Sequence, residues 1–506
     1  MSEVFLGVDI GTSSTKGVLV DGSGDVVAQA TREHGVDRPA VGHVEMDGRI
    51  WWDEFRSLAR ELVDGTRHDV VAVGVSGMGP CVLLTDERDE PVRPAILYGV
   101  DTRAQAQQDA CDRRCGAQEI LRRCGSAMSS QAAGTKIAWV AENEPDTYAR
   151  ARRFFMPSSW LVRKLTGEYV LDHHSASQCT PMYDVQAQEW LQPWAGDVAP
   201  GIMLPPLHWA DETAGNITAA AAAETGLPQG IPVITGTIDA WSEAISVGAH
   251  NTGDLMLMYG TTMFLINTVA EPVRVPALWG PVGALRGTFS LAGGMATSGA
   301  ITGWLRDLYG GVDYASLVRE AADVPAGSDG LLMLPYFAGE RTPIMDPSAR
   351  GVIAGLTLSH GRPHIYRAAL EATAFGVRHN IETMLEAGAS VQRVVAVGGG
   401  VTSRLWPQIV TDVTGVDQVI PHRTVGASYG AAYLAATQVA DADINDWNPS
   451  RAVCRPIPGH RALYDDRYVL YRQLYESTRD IMHVLAEQPQ MHTKPTHAEG
   501  DSNDDV

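Results

Sequence analysis

The chain opens with two apolar segments separated by a short polar turn. Residues 4–10 and 17–20 have the composition of β-strands, and the turn between them carries Gly11, three hydroxyl side chains and Lys16. A glycine-containing turn can direct backbone N–H groups at an anion, and hydroxyl and lysine side chains add hydrogen-bond donors. Asp9, near the end of the first strand, is suited to hold Mg²⁺ beside a bound phosphate. The pattern predicts a β-hairpin, either a plain one or one with a phosphate-binding turn.

Further along, short buried strands alternate with helices. Near-continuous apolar runs at Val70–Ser76, Ile231–Thr235 and Val394–Val397 predict strands that are covered on both faces. Apolar residues three or four positions apart predict a helix over Trp51–Gly65, and a terminal helix is predicted over Tyr464–Leu485. Strands and helices therefore alternate over most of the chain.

The second half of the chain begins as the first half does. Leu255–Tyr259 and Met263–Thr268 are predicted strands, and the turn between them, Gly260–Thr262, again combines glycine with hydroxyl side chains. A strand–turn–strand unit that recurs after roughly 250 residues indicates an internal duplication.

The predicted boundary between the two copies lies at Asn251–Gly253. It gives an N-terminal domain over residues 1–250 and a C-terminal domain over residues 251–487. Residues 488–506 are polar and acidic, and we expect them to be disordered.

Composition and charge exclude several classes of protein. The chain has 506 residues and a formal net charge of −21, which argues against nucleic acid and anionic membranes as partners. No apolar stretch is long enough to span a membrane and no signal peptide begins the sequence, so we expect a cytoplasmic protein. The six cysteines lack zinc-site spacing and are expected to be free thiols. Lysine is rare in this chain, so its occurrence in the opening turn, at Lys16, favours a specific role for that residue.

Three consecutive glycines, Gly398–Gly400, follow the predicted strand at Val394–Val397. Glycines at that point let a ligand lie close to the backbone, and a following helix N-terminus favours anions. A plain strand-to-helix turn is the alternative, but three glycines exceed what such a turn needs. The dinucleotide-binding spacing of glycines is missing, and so is the Gly-Lys pair of a P-loop.

Three charged residues are candidates for chemistry on a substrate. Asp239 lies at a strand-to-helix junction, where it could accept a hydroxyl proton or simply cap the helix. Asp101 and Arg103 lie on a predicted polar loop and could bind hydroxyl groups of a polyol, with a surface ion pair as the alternative. The adjacent His173 and His174 are predicted to lie on one strand, to point in opposite directions and to be either structural or solvent-facing.

The opening turn, Asp9–Lys16, combines with later motifs into a pattern that resembles the FGGY family of carbohydrate kinases. These motifs are Trp51-Trp52, Val75-Ser-Gly77, Arg93-Pro-Ala-Ile-Leu97, Leu165-Thr-Gly-Glu-Tyr169 and Val397-Gly-Gly-Gly400 with Ser403-Arg-Leu-Trp406. The most specific stretch, Gly351–Glu371, fits the C-terminal signature of the family at every constrained position. The similarity runs in order from about residue 4 to 440.

The resemblance implies an α/β fold with two actin-like ATPase domains, ribonuclease H-like in topology, and a cleft between them. ATP would lie mainly against the C-terminal domain and the sugar against the N-terminal domain. Asp239 aligns with the catalytic base of the family, and Asp9 and Asp239 would place Mg²⁺. The nucleotide-binding residues implied by position are Thr12, Ser13, Lys16, Gly260, Thr261, Gly299, Gly303, Gly399, Gly400 and Arg404.

Within the family the chain is most similar to xylulokinases, and its departures fall in the predicted sugar pocket. The residues implied to face the sugar are Met78, Gly79, Asp101, Arg103 and Asp239. Typical xylulokinases have Gly-Gln-Met-His where this chain has Gly77–Pro80, so the substrate-contacting histidine is missing. The usual Trp-Asn-Asp is replaced within Tyr98–Arg103. The resemblance therefore supports kinase activity more firmly than it supports D-xylulose.

The resemblance implies ATP-dependent phosphorylation of a ketopentose hydroxyl, with D-xylulose leading and ribulose, other ketoses and sugar alcohols following. The implied cofactors are ATP and Mg²⁺, and the implied partner is a small sugar. Two other classes are weighed against it. A chaperone-like ATPase would carry a peptide-binding module, and none is visible; a dehydrogenase would carry the missing dinucleotide fingerprint. Relatives are often homodimers, although no sequence feature requires one here.

Overall fold

The computed structural model describes residues 3–487, so the predicted acidic tail, residues 488–506, lies outside the described residues. The first of two large sheets is built by the N-terminal half. It contains β1 (Glu3–Ile10), β2 (Ser14–Asp21), β3 (Val26–Glu33), β4 (Asp69–Gly77), β5 (Thr213–Asn216), β6 (Pro232–Ile234) and β7 (Thr237–Ile238). The order is β5-β6-β4-β1-β2-β3, and β7 also pairs with β4. Strands β1 to β3 are antiparallel, whereas β4 is parallel to β1 and β6 is parallel to β4.

The second sheet belongs to the C-terminal half. It contains β8 (Asp254–Tyr259), β9 (Met263–Val269), β10 (Phe289–Met295), β11 (Arg393–Val397), β12 (Gln418–Pro421) and β13 (Ser450–Cys454). The order is β10-β9-β8-β11-β12-β13. Strands β8 to β10 are antiparallel, and β8, β11 and β12 are parallel. The two sheets therefore repeat one arrangement of strands, as the recurring strand–turn–strand unit predicts.

Helices cover the sheets and fill the connections. In the N-terminal half they are α1 (Arg49–Asp64), α2 (Gln105–Cys111), α3 (Ala117–Cys124), α4 (Ala133–Asn143), α5 (Pro145–Tyr148), α6 (Pro157–Thr166), α7 (His173–Ser177), α8 (Gln192–Val198), α9 (Ala219–Thr225) and α10 (Asp239–Ser246). In the C-terminal half they are α11 (Gly299–Leu308), α12 (Tyr314–Ala322), α13 (Arg362–Glu386), α14 (Leu405–Thr414), α15 (Ala427–Ala436), α16 (Ile444–Trp447) and α17 (Arg461–Glu487). Strands of two or three residues form small additional pairs, which are Glu45–Met46 with Ala95–Ile96, Leu83–Thr85 with Arg153–Phe155, Leu171–Asp172 with Leu207–His208, Tyr183–Asp184 with Glu189–Trp190, and Leu332–Leu334 with Val352–Ala354.

Helix α15 lies directly on the first sheet, although it comes from the second half of the chain. A Cβ atom added to Gly7 on β1 would lie 1.9 Å from the backbone oxygen of Ser428, and one added to Gly74 on β4 would lie 1.9 Å from that of Ala431. Only glycine allows backbone to approach backbone so closely. The two glycines therefore let α15 pack against the middle of the sheet.

Helix α10 lies between α15 and the second sheet. The Trp241 indole N–H donates a hydrogen bond of 2.8 Å to Ser290 Oγ on β10, and Ser242 Oγ donates one of 2.8 Å to the backbone oxygen of Ala427. A Cβ atom on Gly430 would lie 1.9 Å from the backbone oxygen of Ser242. Each of the two helices thus contacts the sheet of the other half, and the two cross with their backbones in contact.

Several local predictions differ from the structure in their detail. His173 and His174 begin the short helix α7 and do not lie on a strand, so the prediction that they point oppositely from one strand is wrong. Their structural role agrees with their contacts, because His173 bonds the Tyr183 hydroxyl and His174 Nδ1 bonds the Val282 backbone oxygen. Asp239 is the first residue of α10 and not its N-cap, which is Ile238.

Within residues 3–487, no helix is long and apolar enough to cross a membrane. All six cysteines are free, as their spacing predicts.

Candidate functional site

A cleft of about 430 Å³ is lined by residues from both halves of the chain. Its floor includes Asp9 near the end of β1, Gly79 just beyond β4, Asp239 just beyond β7 and Met258 near the end of β8. The carboxyl ends of parallel strands are the usual place for a ligand in an α/β protein. The sheets therefore bring the predicted base, the predicted metal residue and one predicted sugar residue to one site.

Asp9 is held at the bottom of the cleft by the neighbouring strand. It pairs across the sheet with Ser76, whose hydroxyl donates a hydrogen bond of 2.8 Å to Asp9 Oδ1. Burial raises the pKa of Asp9 well above its ordinary value, and the charge of Asp239 raises it further. A carboxylate in this condition is stabilised by any cation that enters the cleft.

Asp239 is oriented by the start of α10. The backbone N–H of Ala240 donates a hydrogen bond of 2.7 Å to Asp239 Oδ1, and the positive end of the helix dipole lies beside the carboxylate. Burial raises the pKa of Asp239 and the hydrogen bond from Ala240 lowers it. The group is thus more basic than an ordinary aspartate, which suits a general base.

Lys16 and Glu243 face the two aspartates. The Lys16 ammonium donates a hydrogen bond of 2.6 Å to the backbone oxygen of Val425, and burial lowers its pKa while the charges of Asp9 and Glu243 raise it. Burial raises the pKa of Glu243 to about 7, and the charge of Asp239 adds to this effect. Sequence reasoning missed Glu243. Its position four residues after Asp239 could have revealed it, because such residues share one face of a helix.

The opening turn is tight and lies at the edge of this cluster. The N–H of Gly11 donates to the Ser14 backbone oxygen at 2.9 Å. Thr12 Oγ1 lies 3.1 Å from the hydroxyl of Tyr98, which lines the cleft, whereas Ser13 is exposed. Of the turn's predicted nucleotide contacts, only Lys16 is part of the cleft wall.

The second turn, between β8 and β9, is joined to the start of α11. The N–H groups of Ser298 and Ala300 donate to the backbone oxygen of Thr261 at 3.1 and 3.0 Å, and the N–H of Gly299 donates to that of Gly260 at 3.0 Å. A Cβ atom on Gly299 would lie 2.5 Å from the Gly260 oxygen, so this contact requires glycine. The structure therefore brings together three of the predicted nucleotide residues, which lay about 40 positions apart in sequence.

The remaining predicted nucleotide residues lie on elements of the second half. Gly399 and Gly400 follow β11, which is parallel to β8, and Arg404 is exposed immediately before α14. A Cβ atom on Gly399 would meet nothing within 4 Å, so that surface is open. Gly303 lies on α11, one turn beyond Gly299. None of these four lines the cleft, and their contact with a nucleotide stays a prediction.

Asp101 and Arg103 have internal partners and do not line the cleft. The Asp101 side chain is fully buried and accepts hydrogen bonds from the Arg103 guanidinium at 2.7 Å and from the Val44 N–H at 2.6 Å. Arg103 also contacts Glu45 at 2.6 Å and stacks over the Trp139 ring at 4.9 Å. The two side chains are buried, so the surface ion pair is wrong, whereas their contact with a sugar stays a prediction. The arrangement is a buried network that holds the loop.

The other predicted sugar residues are Met78 and Gly79. Gly79 lines the cleft, whereas Met78 is buried and its N–H donates to the Ile10 backbone oxygen at 2.7 Å. Sequence reasoning missed most of the remaining wall, which includes Tyr98, Gln131, Gln178, Trp241, Phe264, Trp279 and Arg341. These residues come from distant segments, and no local motif connects them.

The donor set fits Mg²⁺ bound together with phosphate. In the described range, 3–487, no three His, Cys, Asp or Glu side chains are close enough to hold a metal by themselves. Mg²⁺ commonly takes only one or two carboxylates and completes its shell with phosphate and water. Asp9 and Asp239 supply two such carboxylates, and burial raises the pKa of each, an effect that a bound cation would offset.

Comparison with known proteins agrees with this geometry. Residues 4–246 match the N-terminal domain of the FGGY family of carbohydrate kinases, and residues 255–439 match its C-terminal domain. The xylulose kinase of Escherichia coli strain K12 is 28% identical over 499 residues, which cover 95% of this chain and 100% of that protein. The glycerol kinase of Renibacterium salmoninarum is 30% identical over 460 residues, which cover 87% of this chain and 90% of that protein.

A crystal structure of xylulose kinase from Rhodospirillum rubrum superposes with a TM-score of 0.89 at 31% identity, covering 95% of this chain and 100% of that chain. This match confirms the predicted fold of two actin-like α/β domains. The chain belongs to the FGGY family of carbohydrate kinases, and it is accordingly an ATP-using sugar phosphotransferase.

Proposed function

We propose that this kinase transfers the γ-phosphoryl group of ATP to a terminal hydroxyl of a ketopentose, with D-xylulose as the first candidate and D-xylulose 5-phosphate as the product. The observation that carries the proposal is the convergence of Asp9, Lys16 and Asp239 in a cleft lined by both halves of the chain. The similarity to xylulose kinases supports the substrate. The similarity to a glycerol kinase supports a smaller polyol as the second candidate.

In the proposed reaction Asp239 accepts the proton of the sugar hydroxyl while that oxygen forms its bond to the γ-phosphorus. The bond between the γ-phosphorus and the bridging oxygen breaks, and ADP leaves with the electron pair. The proton stays on Asp239 until it passes to solvent. The contact with the Ala240 N–H fixes the carboxylate in one orientation during this step.

The phosphate side of the cleft would be formed by Lys16 and the two glycine turns. An ammonium group has three donors, so Lys16 can keep its bond to Val425 and still reach a phosphate oxygen. Asp9 and Asp239 would hold Mg²⁺, which when bound neutralises charge that develops on the phosphoryl oxygens. Thr12, Gly260 and Thr261 would add donors around the phosphates, which is how phosphoryl transfer is stabilised in general.

The sugar side would be formed by Gly79 and the polar residues of the cleft wall. We propose that Asp101 and Arg103, which are bonded to each other, support the loop that carries Tyr98. We further propose that the enzyme works in the cytoplasm, where ATP is available. We also expect a homodimer, which size-exclusion chromatography with light scattering would test.

The experiment that tests this function measures ADP release with a panel of ketoses and polyols, including D-xylulose, D-ribulose, L-ribulose, xylitol and glycerol. We expect strong stimulation by one ketopentose and only weak ATP hydrolysis without sugar. Asp239→Asn should lower kcat by ~10²–10⁴-fold, because general-base catalysis contributes about that much. Asp211→Asn is the matched control, since Asp211 is also partly buried but lies outside the cleft wall. Wild-type turnover in Asp239→Asn would contradict the assignment of the base.

A further inference from the structure

Arg341 is a cleft residue whose side chain uses only part of its hydrogen-bonding capacity within residues 3–487. It comes from the loop after Leu332–Leu334 and lines the cleft opposite residues of the N-terminal half. One guanidinium nitrogen, Nη2, donates to the Met295 backbone oxygen at 2.8 Å. Nε is shielded from solvent and has no hydrogen-bond partner among residues 3–487. Within that same range the guanidinium forms no ion pair with a carboxylate.

The backbone on both sides of Arg341 is held rigidly against β10. Glu340 Oε1 accepts hydrogen bonds from the N–H groups of Ala296 at 2.6 Å and Arg341 at 2.8 Å. Thr342 Oγ1 accepts one from the Gly294 N–H at 2.6 Å and donates one to Asn380 Oδ1 at 2.6 Å. Such a frame fixes the direction of the arginine side chain before any ligand arrives, and preorganised groups of this kind are typical of binding sites.

The surroundings of Arg341 favour a sugar as its ligand. Gln131 and Gln178 from the N-terminal half line the same cleft, together with the rings of Trp279 and Phe264 from the C-terminal half. Amides and aromatic faces suit a neutral polyhydroxylated molecule better than they suit a phosphate. An arginine side chain carries only donors, so its free N–H groups pair directly with carbonyl and hydroxyl oxygens.

A buried donor without an acceptor costs free energy, and such groups in native proteins commonly mark a functional contact. We infer that the guanidinium of Arg341 binds oxygens of the sugar, and thereby makes sugar affinity depend on the C-terminal half. This inference rests on the proposed function. Under this inference, Arg341 is the polar residue through which the C-terminal half recognises the sugar.

The test compares Arg341→Gln and Arg341→Lys with the wild type, using the sugar that gives the highest kcat/KM in the wild-type panel. We expect KM for that sugar to rise ~10- to 100-fold in Arg341→Gln, as loss of a charge-assisted hydrogen bond implies. KM for ATP and the slow hydrolysis of ATP without sugar should stay within about 3-fold of wild type. Arg341→Lys keeps the positive charge but loses the fork of donors. Its KM for the sugar should therefore lie between those of the wild type and Arg341→Gln.

Arg350→Gln is the matched control. Arg350 is in the same loop and donates to the backbone oxygens of Pro347 and Ala349, but it does not line the cleft. Its substitution should leave both KM values unchanged. If Arg341→Gln fails to fold, as judged by thermal unfolding, Arg341→Lys is read by the same criteria.

A rise in KM for ATP as large as that for sugar would overturn the inference, since Arg341 would then serve the phosphates. Unchanged KM values for both substrates in a folded variant would also overturn it. Because the wild-type panel identifies the sugar first, a preferred substrate other than D-xylulose would revise the proposed function and leave the test of Arg341 intact.

Discussion

Alanine in place of Gly7 tests the contact between the first sheet and α15. The added Cβ atom would lie 1.9 Å from the Ser428 backbone oxygen and 2.6 Å from the Ala432 nitrogen. Ordinary contacts of this kind begin at 3.4 Å, so the helix and the strand must separate by the difference, about 1.5 Å. Both obstructing atoms belong to the backbone of a helix, and no rotation of a side chain can relieve the clash.

The expected loss of stability follows from this geometry. Overpacking of a core costs ~1–3 kcal/mol, and a clash with rigid backbone belongs at the upper end, about 3 kcal/mol. For a domain of about 250 residues this corresponds to a fall in the apparent melting temperature of roughly 6–12 °C. Turnover should fall as well, because Gly426, Ala427 and Ser428 at the start of α15 line the cleft.

Differential scanning fluorimetry and the ADP-release assay measure both effects. Gly35→Ala is the control, since Gly35 is exposed and a Cβ atom there would meet nothing within 4 Å. It should melt and turn over as the wild type does. A Gly7→Ala variant that melts within about 2 °C of wild type and keeps its kcat would refute the reasoning that backbone contact positions α15.

Three further predictions concern charged groups. Asp101→Asn should lower the melting temperature, because it leaves the Arg103 guanidinium without its buried carboxylate partner, while KM for the sugar stays unchanged. A raised KM for the sugar in a stable variant would instead support direct contact between Asp101 and the sugar. Lys16→Gln should raise KM for ATP ~10-fold or more with little change in melting temperature, as measured by initial rates at varied ATP. Burial raises the pKa of Glu243 to about 7, so the folded state holds this proton more tightly than the unfolded state does. The protein should therefore lose about 3 kcal/mol of stability as pH rises from the ordinary pKa of glutamate to 7. In Glu243→Gln that part of the loss should disappear, which urea unfolding at pH 5 and pH 8 would reveal.

The elements of the fold could be predicted from sequence because their signals are local. Helices were expected over Trp51–Gly65 and Tyr464–Leu485, and the structure has helices at Arg49–Asp64 and Arg461–Glu487. The two glycine turns were expected from composition alone, and both lie between antiparallel strands. Periodicity and turn chemistry act within a few residues, so a single sequence contains them fully.

The walls of the site could not be predicted in the same way. Arg341 and Gln131 line one cleft although they come from different halves of the chain, about 210 positions apart in sequence. Asp101 and Arg103 look like candidates for substrate binding in sequence, since burial and internal hydrogen bonding leave no local trace. Glu243 could be recognised only once α10 was known to begin at Asp239, because the spacing of four residues places both on one face only within a helix.

The crossing of α10 and α15 connects Asp239, the proposed catalytic base, to the packing of both sheets. Asp239 is the first residue of α10, and Ser428 lies in the first turn of α15, so both helices begin at the cleft. Where the helices cross, the Ser242 hydroxyl bonds the backbone oxygen of Ala427, and Gly430 allows the two backbones to touch. Backbone contacts of this kind cannot adjust as side chains do, so they hold α10 and α15 in one position relative to each other. The helix crossing therefore sets the position of Asp239, the proposed base, so we expect substitutions of the small residues there to lower turnover as well as stability.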